Sequence, residues 1–364
     1  MLRHSRILQH FFGAYSQRSY YSMDLQEVVK RLNNLAPTSL AESWDNVGLL
    51  LEPHSKRSVG ILMLTNDLTE EVLDEAEQHN VNCILSYHPP LFRPLKRVTS
   101  KAWKERIVAR CLEKGIAIYS PHTSYDALKG GVNDWLIQAF EATSVVPLQQ
   151  SSQPPKHSHQ ITVEITKDDS GAELLGYLRQ QLDKSCSLYM RNGDSSLVIL
   201  CSESFLPTIV TLLSSRNNHL EFAITKLEQV PLDGYGMGRK CNLSSPVTLK
   251  EAVDKVKSHL NLPYVRLALA HGATSDSLIR SVAVCAGSGS SVLRGSKVDL
   301  WLTGEMSHHE VLDATHQGIS VVLTDHSNTE RGYLKVLKPR LMELFDQKIQ
   351  IIISERDRDP LQVV

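Results

Sequence analysis

From Asp24 onward, short β-branched and aliphatic runs alternate with amphipathic stretches of helical spacing, and this alternation limits the possible folds more than any other feature. The runs "VGILML" (59–64), "VNCILS" (81–86) and "IAIYS" (116–120) have the length and residue types of buried strands. Between them lie "TNDLTEEVLDEAEQH", with a D-x-x-E helix start at Asp67 and Glu70, and "SKAWKERIVARCLEKG" (100–115), which Gly115 would stop. A further helix is expected near 131–142. Strands separated by helices pair in parallel and need cover on both faces.

The rhythm breaks at 146–160, where "PLQQSSQPPKHSHQ" is polar and rich in Pro and Ser, as linkers are. Beyond it the order is strand, helix, strand, strand, helix, strand to about 230, the ferredoxin-like arrangement. Strand runs then resume at 264–270, 281–287, 298–303, 319–324 and 349–354. The expected fold class is therefore α/β, a mostly parallel sheet core built from two halves and interrupted by a small ferredoxin-like α+β insertion. The boundaries would be 23–145 and 246–364 for the two core halves and 146–245 for linker and insertion.

Composition removes several functional classes. A net charge of −1 and an ordinary charged fraction of 22% give no direct nucleic-acid signature. No apolar run has the length to span a bilayer. The six cysteines form no C-x-x-C pair and several sit inside apolar runs, which argues for a reducing compartment and against thiolate-bound zinc. Residues 1–22 carry Arg3, Arg6 and Arg18, several serines and no acid. They read either as a mitochondrial presequence or as a disordered tail ahead of an internal start at Met23. The compartment is accordingly cytoplasmic, with a nuclear option, or mitochondrial if the presequence operates.

In open α/β sheets, chemistry sits just beyond the carboxyl ends of the strands. There this chain places Tyr87 and His88; His122, Tyr125 and Asp126; Ser288, Gly289, Ser290 and Ser291; Glu305, His308 and His309; and His326 and Glu330. Each has a plain structural alternative. Ser307-x-x-Glu310 and Ser327-x-x-Glu330 fit capping boxes, Asp126 could cap a helix, and Gly and Ser populate any turn. Yet five of the 15 histidines follow strand ends, with carboxylates beside them. Mixed imidazole and carboxylate donors without thiolate suit zinc, iron(II) or manganese. Two such ions could activate water and clamp a phosphate or acyl oxygen.

Six ordered segments, "AESWDNVGLLLE", "SYHPPLF", "PHTSYD", "GSGSS", "TGEMSHHE" and "HSNTERG", make the chain resemble the NGG-interacting-factor-three-like family, also labelled GTP cyclohydrolase type-two homologues. The resemblance runs from Met23 to the C-terminus. It implies an α/β core, homo-oligomers and a dinuclear metal site. Carried onto this chain, it implies His88, Asp126, His326 and Glu330 as ligands, with His122 as a further or supporting one. The family often has His-His where this chain has Tyr87-His88, which would remove one ligand from one of two metals. The expected function is a metal-binding protein of hydrolase type, holding one or two divalent ions and acting on a nucleotide-like or phosphorylated small molecule. Ser288–Ser291 would hold an anion, and Glu305 or His309 would move the proton. The alternative is a non-enzymatic interaction factor, such as a transcriptional cofactor, with a structural or vestigial metal site.

Overall fold

The computed structural model describes residues 22–364 apart from 56–57, 154–156, 166–169, 183–185, 192–194, 217–219 and 229. The targeting or disordered segment expected at 1–22 lies, but for Ser22, outside the described residues. The chain forms two compact units, one of residues 1–148 with 238–364 and one of residues 149–237.

The larger unit holds two main sheets. In the first, the strands Gln350–Ile353, Ile61–Thr65, Cys83–Ser86 and Ala117–Ser120 lie side by side in parallel, and Gly48–Leu51 adds an antiparallel edge. All four residues of Cys83–Ser86 and of Ala117–Ser120 are buried, so these strands read as apolar runs that end on a buried serine. The helices Glu70–Gln78 and Trp103–Lys114 pack Val72, Leu73, Ile107 and Cys111 against Met63, Ile84 and Ile118. Gly115 ends the second helix in the left-handed conformation, with φ at 68°.

In the second sheet Leu278–Cys285, Leu300–Thr303 and Ser320–Leu323 run parallel, flanked by antiparallel strands. One flank is Arg266–Ala268; the other is Val230–Thr248, followed by Ala142–Gln153. The last strand of the chain, Gln350–Ile353, returns to the first sheet beside Ile61–Thr65.

Two local expectations are corrected. Much of the stretch 146–160 is strand, not linker, because Ala142–Gln153 pairs along the edge of a sheet. Backbone hydrogen bonds make such an edge without apolar alternation. Asp67 does not start the next helix. Thr69 caps it through a bond from the Val72 amide, and Asp67 is turned to another use.

The smaller unit has a four-stranded antiparallel sheet in the order Phe222–Lys226, His159–Glu164, Ser196–Cys201, Ser187–Arg191. The helices Gly171–Gln181 and Leu206–Arg216 contribute Leu174, Leu178, Ile209 and Leu213 to its core.

Candidate metal centre

The carboxyl ends of strands from both sheets of the larger unit meet at one cleft. Ile61–Thr65 delivers Asn66 and Asp67, Cys83–Ser86 delivers Tyr87 and His88, and Ser320–Leu323 leads to His326 and Glu330. One Nε2 or Nδ1 of His88, one of His326 and one carboxylate oxygen of Glu330 lie within 4.8 Å of one another.

Each histidine is gripped from behind by a carboxylate. His88 Nδ1 donates to Asp67 Oδ1 at 2.9 Å, and His326 Nδ1 donates to Glu305 Oε1 at 2.8 Å. His122 Nδ1 donates to Asp45 Oδ1 at 2.7 Å, and its ring lies 5.3 Å from that of His88. A carboxylate can only accept, so the proton sits on Nδ1 and the lone pair of neutral imidazole is left on Nε2. For His88 and His326 that Nε2 faces Glu330, at 3.3 Å from Oε2 and 3.5 Å from Oε1. Buried His88 Nε2 has no hydrogen-bond partner. An orphaned buried nitrogen, a second imidazole nitrogen and a buried carboxylate, with the rings oriented by outer carboxylates, fit a divalent cation well.

Electrostatics agree with the geometry. Glu330 is only 3% exposed, and burial works against its charge. His88, His326 and the Asn66 amide, which donates to Oε2 at 3.1 Å, nevertheless hold its carboxyl below the usual range. Burial likewise opposes a charge on His88, but Glu330 and Asp67 outweigh it and push the imidazole up to about 10. In the metal-free protein a proton therefore supplies the positive charge that the buried carboxylate needs.

Neighbouring loops fix the frame. The Thr329 hydroxyl donates to the His326 carbonyl at 2.7 Å and accepts from the Gly287 amide at 2.8 Å. Asn133 donates to the Asp126 carbonyl and accepts from the Ala286 amide, joining the two sides of the cleft. His122 carries a positive φ of 34°, a strained backbone of the kind kept at functional sites, and Asp45 holds both its ring and the Thr123 hydroxyl.

The structure separates the candidates named from sequence. His88, His326 and Glu330 converge, with His122 at the next ring. Asp126 is buried and accepts from the Tyr87 hydroxyl at 2.5 Å. Burial pushes the Asp126 carboxyl up to about 6, against the pull of Tyr87 and His122. Glu305 is exposed and orients His326. His309 is exposed in the first turn of the helix His308–His316, whose Ser307–Glu310 capping box is complete. Ser288 and Ser291 are exposed, but the Gly289 amide is buried and donates to Thr303 Oγ1, so it is not available to an anion.

Ser327 and Glu330 form no capping box. Ser327–Thr329 is a 3-10 turn without a side-chain cap, the Ser327 hydroxyl donates to Asp359, and Glu330 points into the cleft. Sequence reasoning missed Asp67 and Asn66, although they follow a strand end, because Asp67 also fits a helix start. Asp45 stood inside a recognised segment, but nothing in its neighbours marks it as a histidine's partner.

A family model described as Duf34/NIF3 (NGG1p interacting factor 3) matches residues 23–360. The chain belongs to this family. NIF3-like protein 1 of Homo sapiens is 47% identical over 358 residues, covering 96% of this chain and 94% of the human one. NGG1-interacting factor 3 of Saccharomyces cerevisiae is 30% identical over 359 residues, covering 95% of this chain and 99% of the yeast one. A solved Staphylococcus aureus structure matches the fold with a TM-score of 0.71 at 24% identity, covering 94% of this chain and 99% of that one. NIF3 membership thus agrees with a mixed α/β fold and a His/Glu cluster able to hold a metal ion. Among the described residues no helix is long and apolar enough to cross a membrane, and all six cysteines are buried and outside any disulfide.

Proposed function

We infer that the protein is a divalent-metal-dependent hydrolase acting on a phosphorylated, nucleotide-like small molecule. The observation that carries this is the pair His88 and His326, each with a carboxylate on Nδ1 and its Nε2 facing buried Glu330, with His122, backed in the same way by Asp45, at the next ring. A hydrolytic cation at such a site lowers the pKa of water and polarises a phosphoryl or acyl oxygen. His88, His326 and Glu330 would hold it, with Asp67, Glu305 and Asn66 fixing their orientation. Zinc, iron(II) and manganese all suit these donors. Glu305 sits at the solvent edge of the cleft, where a carboxylate can take up a proton; His309 is the reserve candidate, and the exposed Ser288 and Ser291 with Ser290 remain the candidate anion hold. A second cation would need Asp126 and His122, but one Asp126 oxygen already accepts from Tyr87, so the centre is read as degenerate, with one strong site.

Within this reading the larger unit is the mostly parallel metal-binding core. The smaller is a ferredoxin-like insertion, whose two helices and antiparallel strand order fit that arrangement. A second reading is a homo-oligomeric interaction factor in transcription with a cytoplasmic and nuclear life, as the family resemblance implies; the name of the yeast relative, NGG1-interacting factor 3, supports the interaction. Under it the metal site is structural.

The test is metal per chain by mass spectrometry, on protein purified without chelator or His-tag, followed by a phosphoester and nucleotide hydrolysis panel. One ion per chain, lost in His326→Ala together with hydrolysis, is expected. Bound metal with no hydrolysis across the panel favours the interaction factor, and no metal in either protein removes the centre itself.

A further inference from the structure

Two exposed aromatic rings stand beside the cleft without a structural task. Trp44 is 60% exposed and Phe92 40% exposed. Their centroids are 6.1 Å apart, edge to face, and each ring also faces His122, at 6.0 Å and 6.5 Å. The ring of His122 lies 5.3 Å from that of His88. The aromatic pair is therefore no further from the His/Glu cluster than those two ring-to-ring steps combined. Exposing a tryptophan and a phenylalanine together forgoes the burial that such side chains ordinarily gain.

The segment that carries Phe92 is also strongly basic. From Pro89 to Lys104 it contains Arg93, Lys96, Arg97, Lys101 and Lys104 and no acid. The side chains of Arg93, Lys96 and Arg97 are exposed and have no ion-pair or hydrogen-bond partner among the described residues. The segment is nonetheless held. Pro89, Pro90 and Pro94 restrict its backbone, and the Asn46 side chain donates to the Leu91 carbonyl at 2.5 Å. Asn46 lies two residues from Trp44, so the same bond ties the two aromatic loops together. A chain of net charge −1 thus gathers free cations in the segment that carries Phe92, and Phe92 and Trp44 both stand one histidine ring from the His/Glu cluster.

We propose that Trp44 and Phe92, with Arg93, Lys96 and Arg97, form a recognition site for a single nucleotide, its base stacked on the exposed Trp44 ring with Phe92 edge-on beside it and its phosphate directed toward the His88–His326–Glu330 cluster. The inference rests on the hydrolytic reading of that cluster and names its substrate class. A flat ring explains the exposed aromatics, and an anion explains the unpaired cations. A lone aromatic pair is one platform; a single strand of nucleic acid calls for several in series along a basic groove.

The experiment is calorimetric titration of the metal-loaded full chain with the four nucleoside monophosphates and with ribose 5-phosphate, alongside metal content and solution mass. Nucleoside monophosphates are expected to bind at least about tenfold more tightly than ribose 5-phosphate. Trp44→Ala should lose between about fivefold and hundredfold of nucleotide affinity, the range for one base–aromatic stack, and leave ribose 5-phosphate binding and metal content unchanged. Replacing Arg93, Lys96 and Arg97 by Ala should weaken both ligands and flatten the salt dependence. Equal binding of sugar phosphate and nucleotide overturns the proposal, as does a Trp44→Ala variant that binds nucleotide normally. So does a short oligonucleotide bound far more tightly than any mononucleotide, or a Trp44→Ala variant whose only change is solution mass, since the aromatic pair would then face another macromolecule. Stacking does not need the cation. Ring-dependent binding in a protein without metal would uphold the recognition site and remove the hydrolytic centre, whereas bound metal without ring-dependent binding would do the reverse.

Discussion

Tyr87 donates its phenolic hydrogen to Asp126 Oδ1 across 2.5 Å, between two buried side chains at the edge of the His/Glu cluster. The bond occupies a carboxylate oxygen that a second cation would otherwise use. Its ring packs edge-on to both His88 and His122, at 5.2 Å and 5.7 Å. Removing the hydroxyl in Tyr87→Phe strands a buried carboxyl and should cost about 1.5–3 kcal/mol in urea unfolding of the chelated protein. Tyr87→His exchanges a donor for an imidazole beside Asp126 and His122, and it should raise the metal content by one ion per chain. A Tyr87→His protein with unaltered metal content would show that more than this hydrogen bond separates one ion from two.

The same cluster sets the pH response of the metal-free protein. Burial opposes a charged His88, but Glu330 and Asp67 raise its pKa from 6.5 to about 10. The folded chain then holds a proton that the unfolded chain releases, so this stabilisation is complete below about pH 6.5 and is lost as pH rises toward 10. Burial raises Asp126 from 3.8 to about 6, so the folded state is again the better proton binder, and stability falls as pH climbs through that window. Asp67 and Glu330 are held below their ordinary values and act with the opposite sign, only at acid pH. Urea midpoints in chelator should therefore fall between about pH 6.5 and about pH 9, and His88→Gln should flatten that slope. Metal affinity should run the other way, because the proton on His88 competes with the cation.

How much of this was visible in the chain differs by residue. Strands such as Cys83–Ser86 are apolar up to their terminal serine because they are buried on both faces, and such runs are readable. His88, His326 and Glu330 were legible because chemistry collects after strand ends. Asp67 was not, since an acid followed three residues later by Glu70 also fits a helix start and only the fold turns it toward His88. Ser327 misled for the mirror reason: the capping pattern is present, but its hydroxyl goes to Asp359, 32 residues away in sequence. The edge strand Ala142–Gln153 was hidden because backbone pairing there asks little of the side chains. Local sequence carries burial well and long-range polar pairing poorly.

Gly287 backs directly onto the donors. Its φ is +64°, and a Cβ there would meet Glu330 Oε1 at 2.8 Å and His326 Nε2 at 3.0 Å. Gly287→Ala should cost about 1–2 kcal/mol from the left-handed backbone alone. It should also displace two of the three donors and abolish stoichiometric metal binding. Wild-type metal content in a folded Gly287→Ala protein would mean that the cation sits away from this face.

The C-terminal residues bind both donor-bearing loops from outside. The Asn66 backbone N–H donates to Asp357 at 2.6 Å, and Ser327 donates to Asp359 at 2.6 Å. Arg331 links the two sides, reaching Asp357 at 3.4 Å, Asp67 at 3.8 Å and the Ser327 hydroxyl at 2.8 Å. The segment is itself moored, because the Glu355 and Arg356 amides donate to Glu75. None of these groups touches the expected cation, yet Asn66 orients Glu330, and Asp67 orients His88. Losses among such supporting groups typically cost metal affinity by about 10- to 100-fold. Asp357→Ala should fall in that range in competition with a chelating dye. Asp357→Asn, which keeps an acceptor for the Asn66 backbone N–H but loses the charge facing Arg331, should lose less. The thermal melt of the chelated variants separates a loosened loop from a damaged fold. Full metal affinity in Asp357→Ala would leave the C-terminal segment as packing alone.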